Sequence, residues 1–207
     1  MQTSEHWERV YATKSADTVS WYQRRASLSL DLIGRSGIAA GARIIDVGGG
    51  ASPLAGDLLA AGYTDVTVLD VSARALAGAA ARLGAHAERV TWIESDLLAY
   101  AWPEHAYDLW HDRAVFHFLT APGARRTYQQ AVLRALRPGG CMVVATFAED
   151  GPEHCSGLPV VRYAPNELHA CFGRNFELLA HEREVHWTPA GREQPFTWCL
   201  FRRTLAP

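Results

Sequence analysis

The sequence predicts a doubly wound α/β sheet, mostly parallel, that closes on an antiparallel C-terminal hairpin. Three observations carry this. Strand-length apolar runs alternate with helical patterns, as a parallel sheet covered on both faces requires. The first run, Arg43-Ile44-Ile45-Asp46-Val47, breaks directly into Gly48-Gly49-Gly50. The chain ends on two strand-like runs joined by Thr188-Pro189-Ala190-Gly191, whose Pro and Gly suit a hairpin.

The strands are expected at Arg43–Val47, Val66–Asp70, Val90–Ile93, Tyr107–Trp110 and Cys141–Phe147. Helices are expected near Pro53–Ala61, Ala73–Leu83 and Ala121–Leu136. The last of these stops at Arg137-Pro138-Gly139-Gly140, a helix-ending turn. The closing pair lies near Phe176–Trp187 and Thr197–Arg203, and helical patterns around Ser4–Tyr11 and Trp21–Gly37 precede the first strand.

The 207 residues suit one domain with a buried core. Its expected parts are an N-terminal helical lid (1–40), a cofactor-binding core (41–147), and a substrate-side loop, helix and terminal hairpin (148–207). A net charge of −2 gives no electrostatic case for nucleic acid or a membrane surface. The polar N-terminus lacks the apolar segment of a secretory signal, and no apolar run is long enough to span a bilayer, so a cytoplasmic protein is expected. Cys141, Cys155, Cys171 and Cys199 form no C-x-x-C pair and read as reduced thiols, without a metal site.

A strand that breaks into glycines lets backbone N–H groups approach a ligand. An acidic residue about 20 positions further on suits the vicinal hydroxyls of a ribose. Asp70 stands there, followed by Val71. A dinucleotide fingerprint has a third glycine where this chain has Pro53, and Ser52-Pro53 instead opens a helix. Asp46, two residues before the first glycine, would repel a pyrophosphate but suits a cationic ligand.

That combination resembles motif I of the class I S-adenosylmethionine-dependent methyltransferases, read as acidic-x-Gly-x-Gly. The resemblance spans roughly residues 40–147 and implies the Rossmann-like fold of that class, with S-adenosylmethionine as cofactor. Its implied binding residues are Asp46, Gly48, Gly49 and Gly50 at the methionine end, Asp70 and Val71 at the ribose, and Asp96 with Leu97 at the adenine. Trp21 of the lid is expected to close over them.

The segment Tyr107–Phe118 takes the place of motif IV, beside the methyl group. Its Asp112-Arg113-Ala114 looks like the corresponding run of the thiopurine and tellurite-resistance methyltransferases. His111, Asp112 and Arg113 are the expected catalytic residues: imidazole or carboxylate to orient or deprotonate a nucleophile, guanidinium to pair with an anion. The alternative has Asp112 paired with Arg113 and His117 capping the next turn. Asp108 is expected to be structural. Phe116, His154 and Cys155 are the expected substrate-binding residues, the last two as soft ligands for a thiol or metalloid acceptor.

The expected activity is methyl transfer to an acceptor, most simply a small molecule. Three rivals stand beside it: a protein-lysine methyltransferase, a non-catalytic cofactor-binding module, and a nicotinamide oxidoreductase, which Pro53 and Asp46 disfavour. The sequence does not give the oligomeric state.

Overall fold

A computed structural model describes residues 4–205; Met1–Thr3, where the expected lid begins, lie outside them. In chain order the elements are α1 (Ser4–Thr13), α2 (Ser27–Arg35), β1 (Arg43–Val47), α3 (Leu54–Ala60), β2 (Asp65–Asp70), α4 (Ala73–Leu83), β3 (Val90–Glu94), β4 (Tyr107–Arg113), α5 (Pro122–Ala135), β5 (Leu136–Phe147), β6 (His154–Cys155), β7 (Leu158–Pro159), α6 (Pro165–Phe172), β8 (Phe176–Trp187) and β9 (Glu193–Arg203). Seven strands form one sheet in the order β3-β2-β1-β4-β5-β9-β8. The first five are mutually parallel, while β9 runs antiparallel to both β5 and β8.

The central strands are apolar on both faces because helices cover both. Ile44 and Leu109 pack toward α2 and α3, with Leu32 and Leu58. Ile45, Trp110 and Met142 pack on the opposite face, toward Tyr128 and Val132 of α5. The strand order reverses between β1 and β4, so a crevice opens beyond their carboxyl ends, where open α/β sheets bind ligands. Among the described residues no helix is long and apolar enough to cross a membrane.

Three strand boundaries differ clearly from the sequence reading. The fourth strand continues through His111, Asp112 and Arg113 instead of stopping at Trp110. Neighbouring β1 and β5 supply ladder partners there, and buried side-chain partners satisfy the polar groups. The fifth strand starts at Leu136, ahead of the expected turn. Tyr107 pairs with Leu136 and Leu109 with Cys141, so Arg137–Gly140 forms a bulge within the ladder, with Gly139 at a φ of +75°. The last strand likewise begins at Glu193, because its ladder with β8 runs back to Trp187.

Asp108 fastens this bulge to the start of β1. Its carboxylate accepts from the Arg43 backbone N–H (2.8 Å) and Nε (3.1 Å), and it pairs with Arg137. Burial works against the charge, yet the arginine contacts hold the carboxyl below the usual carboxylate range. A depressed folded pKa contributes stability above the unfolded value near 3.9 and loses it as pH falls through the folded value. Asp108→Asn is therefore expected to cost about 1–2 kcal/mol at pH 7 by denaturant unfolding. The deficit should shrink as pH drops below about 4; a deficit constant with pH would contradict this account.

Candidate active site

Each parallel strand delivers its last residues to the crevice. Gly48 follows β1 with a φ of +69°, and its N–H donates to the Leu69 carbonyl at 2.6 Å. A Cβ there would lie 2.1 Å from the Val115 methyl, so only glycine fits. At Gly49 a Cβ would lie 2.2 Å from the Asp46 carboxylate, which needs the same close approach. Gly50 works differently from the expectation: among the residues bordering the cavity it is absent, and its N–H instead donates to Asp70 Oδ2 at 3.0 Å.

Asp70 ends β2 almost fully buried, its other oxygen accepting from the Ser72 N–H at 2.9 Å. Burial pushes its pKa up to about 6, against the pull of the Ser72 and Gly50 N–H groups. Ser72 also caps α4, its hydroxyl accepting from the Ala75 N–H at 3.2 Å. Asp70, Val71, Asp96 and Leu97 line one end of a largely apolar cavity. Asp96 shapes its own turn by accepting from the Leu98 N–H at 2.9 Å.

The cavity continues past Gly48 and Val115 to Arg113, Phe147, Phe196 and Cys155. Trp7 and Tyr11 of α1 close it together with Trp21. Those three rings and Phe118 pack edge to face, with Trp7 to Trp21 at 5.8 Å and Trp7 to Phe118 at 5.4 Å. The roof is tied down by Glu8, whose carboxylate accepts from the Ser72 hydroxyl (2.8 Å) and the Arg74 N–H (3.1 Å) at the start of α4. Asp46 and Gly49 border a smaller adjoining recess, shared with Trp21 and Arg113. One oxygen of Asp46 is held by His111, and the other is buried without a partner.

Three of the expected reactive residues are placed elsewhere. His111 is sealed between β1 and α2, its Nδ1 2.7 Å from Asp46 and its Nε2 3.0 Å from the Ser29 hydroxyl. It borders neither the cavity nor the recess. Asp112 points to the opposite face and accepts from the Val115 N–H (2.8 Å), the Phe116 N–H (3.1 Å) and the Tyr128 hydroxyl (2.6 Å). Ala114, at a φ of +70°, turns the chain back so that these N–H groups meet it. Burial pushes the Asp112 pKa up to about 6, against the Tyr128 bond. Phe116 is fully buried against Tyr128, Tyr163 and Phe172. In this geometry the three side chains hold the motif IV turn and border neither the cavity nor the recess, unlike the catalytic or substrate-binding positions expected for them.

His117 also departs from its expected cap: its Nδ1 accepts from the Phe147 N–H at 3.4 Å. Burial, reinforced by Arg113, lowers its pKa to about 3. His154 is exposed and faces a separate depression, whereas Cys155 borders both that depression and the cavity. Burial raises the Cys155 pKa to about 11, so this thiol is neutral at pH 7. Trp7 and Tyr11, which as large aromatics of the N-terminal helical segment are candidates for the inner face of the lid, reach the cavity, and so does Gln194, which nothing local in the sequence marks.

Residues 44–140 match a family model described as a methyltransferase domain. No curated protein matches the sequence. Among solved structures, a protein of echinomycin biosynthesis, where a disulfide bond is converted into a thioacetal group, superposes with a TM-score of 0.77 at 20% identity, covering 99% of this chain and 94% of that one. The 1,6-didemethyltoxoflavin-N1-methyltransferase of Burkholderia thailandensis, solved with 1,6-didemethyltoxoflavin and S-adenosylhomocysteine, gives 0.69 at 21% identity, covering 97% and 84%. The [4+2]-cyclase SpnF gives 0.72 at 17% identity, covering 99% and 98%.

The fold is that of the class I methyltransferases, whose methyl donor is S-adenosylmethionine. The residues present fit that donor. Asp46 offers an unpartnered buried carboxylate oxygen beside a glycine that no side chain could replace, as an ammonium requires. Asp70 brings a second carboxylate to the cavity wall, and Leu97 an apolar surface beside Asp96.

His111→Phe removes both imidazole bonds and leaves the Asp46 oxygen and the Ser29 hydroxyl unpaired in the interior. The expected cost is roughly 2–4 kcal/mol of stability, read by denaturant unfolding. Turnover at saturating cofactor should fall less than about tenfold, since a positioned base typically contributes about 10²–10⁴-fold. A fully stable variant with turnover lowered a hundredfold would restore His111 as the base.

Proposed function

We propose that this protein transfers the methyl group of S-adenosylmethionine to a small-molecule acceptor enclosed beneath the α1 roof, with a thiol as the favoured nucleophile. The carrying observation is the continuous cavity, which joins the Asp70 and Asp96 end to an aromatic end under Trp7, Tyr11 and Trp21. The bound cofactor supplies a methyl group already activated by its sulfonium. The protein's task is then to align the acceptor and exclude water. Asp46 and Asp70 bind and orient the donor; the aromatic roof keeps water from the acceptor.

Among the described residues, no free base borders the acceptor end. His111 and Asp112 are sealed into hydrogen bonds, His117 lies outside the cavity, and burial raises both the Tyr11 hydroxyl and the Cys155 thiol. The acceptor must therefore arrive already deprotonated, and a thiol ionises nearer neutrality than an alcohol or phenol. A metalloid acceptor draws less support, because His154 stands outside the cavity and among the described residues no three His, Cys, Asp or Glu side chains converge. SpnF, a cyclase on a similar fold, motivates a second reading in which the cavity performs another reaction.

Incubation with methyl-labelled S-adenosylmethionine and matched arylthiols, phenols and amines separates these readings. Label is expected in the thioether, at least tenfold faster than in the phenol or amine products. Label confined to proteins of a lysate would favour a protein acceptor. S-adenosylhomocysteine binding with no labelled product from any class would favour the second reading.

A further inference from the structure

Arg113 ends β4 at the junction of the cavity and the recess, and its charge is unmatched. Among the described residues no carboxylate lies within ion-pairing distance of it. Glu184, the acidic group that acts on it most strongly, gives its oxygens to the Trp198 indole N–H (3.0 Å) and the Gln23 amide (3.2 Å). Asp46, across the recess, gives one oxygen to His111, and its free oxygen forms no ion pair with Arg113. Burial of an unpaired cation is costly, and proteins otherwise provide it with a partner.

The guanidinium is nevertheless held in one orientation. Nη1 donates to the Trp21 carbonyl at 3.0 Å, and the group stacks 4.9 Å from the Phe196 ring centroid. Nε and Nη2, both buried, have no hydrogen-bond partner. These two nitrogens share one edge of the guanidinium, the edge whose parallel N–H groups match the two oxygens of a carboxylate. Around it stand Phe147, Phe196 and Trp21.

We propose that this edge is a specificity clamp: the acceptor is an apolar, ring-sized molecule that carries a carboxylate, and Arg113 grips that carboxylate through Nε and Nη2. The inference rests on the small-molecule methyl-transfer reading and names the class of acceptor. The stacking over Phe196, a β9 residue remote from the adenine end, places the clamp on the acceptor side of Gly48. Trp21 borders the same cavity beside the edge, so tryptophan fluorescence reports its occupancy.

The test titrates phenylacetate and its neutral isostere phenylacetamide into the complex with S-adenosylhomocysteine, for the wild type, Arg113→Lys and Arg113→Met. The acid is expected to bind the wild type at least tenfold more tightly than the amide. That preference should fall in the lysine variant, which loses the two-pronged edge, and vanish in the methionine variant. S-adenosylhomocysteine affinity should change less than about threefold across the set. Equal binding of acid and amide to the wild type overturns the clamp, even if both variants fail to fold. A tenfold loss of S-adenosylhomocysteine affinity in Arg113→Met with the acid preference intact also overturns it, and assigns Arg113 to the cofactor's own carboxylate. Failure of the wild type to bind S-adenosylhomocysteine at all would instead sink the methyl-transfer reading, and the acid–amide comparison can still be run without it.

Discussion

Three carboxylates sit in a water-poor interior at the carboxyl ends of adjacent strands, and the site is built around keeping them there. Asp46, Asp70 and Asp112 are each at most 6% exposed. A buried carboxylate needs donors, and here they come mainly from the backbone. Asp70 takes N–H groups from Gly50 and Ser72, which fixes both the glycine turn and the start of α4. Asp112 takes those of Val115 and Phe116, which fixes the turn after β4 and explains the left-handed Ala114. Asp46 differs, because His111 satisfies only one of its oxygens. Its spare capacity beside Gly49 is what a cationic ligand group needs.

The roof depends on the same point of the fold. Glu8 reaches the Ser72 hydroxyl and the Arg74 N–H, so α1 is anchored to the helix start that also positions Asp70. The Asp70 turn and the α1 roof therefore share one anchoring point at the start of α4, and Trp7 packs edge to face on Trp21 and Phe118 across the cavity.

The sheet was legible from the sequence because its signals are local: apolar runs, glycine breaks and the Pro/Gly connection at Thr188–Gly191. The positions of Asp46 within β1, Asp70 at the end of β2 and Asp96 just beyond β3 were legible for the same reason. His111 and Asp112 misled for a physical reason. Polar residues at the end of an apolar run read as groups facing a ligand, but their partners Ser29, Asp46 and Tyr128 lie 82, 65 and 16 positions away. Only the folded chain shows that these partners close both side chains off. Phe116 was misplaced similarly, because the α5 and α6 residues that enclose it cannot be inferred from the residues beside it. The clamp edge of Arg113 is legible only as an unpartnered atom pair in three dimensions.

The central claim is that the buried Asp70 carboxylate receives the cofactor's ribose, and proton linkage tests it most directly. Burial holds the free carboxyl near 6, and hydroxyl donors favour the ionised form. Binding near pH 6 must then release a proton, and affinity must fall as pH drops through that value, by up to about tenfold per pH unit. Calorimetry of S-adenosylhomocysteine binding at pH 6, in two buffers of different ionisation enthalpy, reads that proton. A released fraction near one half at pH 6 that vanishes by pH 8, and is absent in Asp70→Asn, is the predicted result. Tight binding with no proton released at either pH would contradict the assignment.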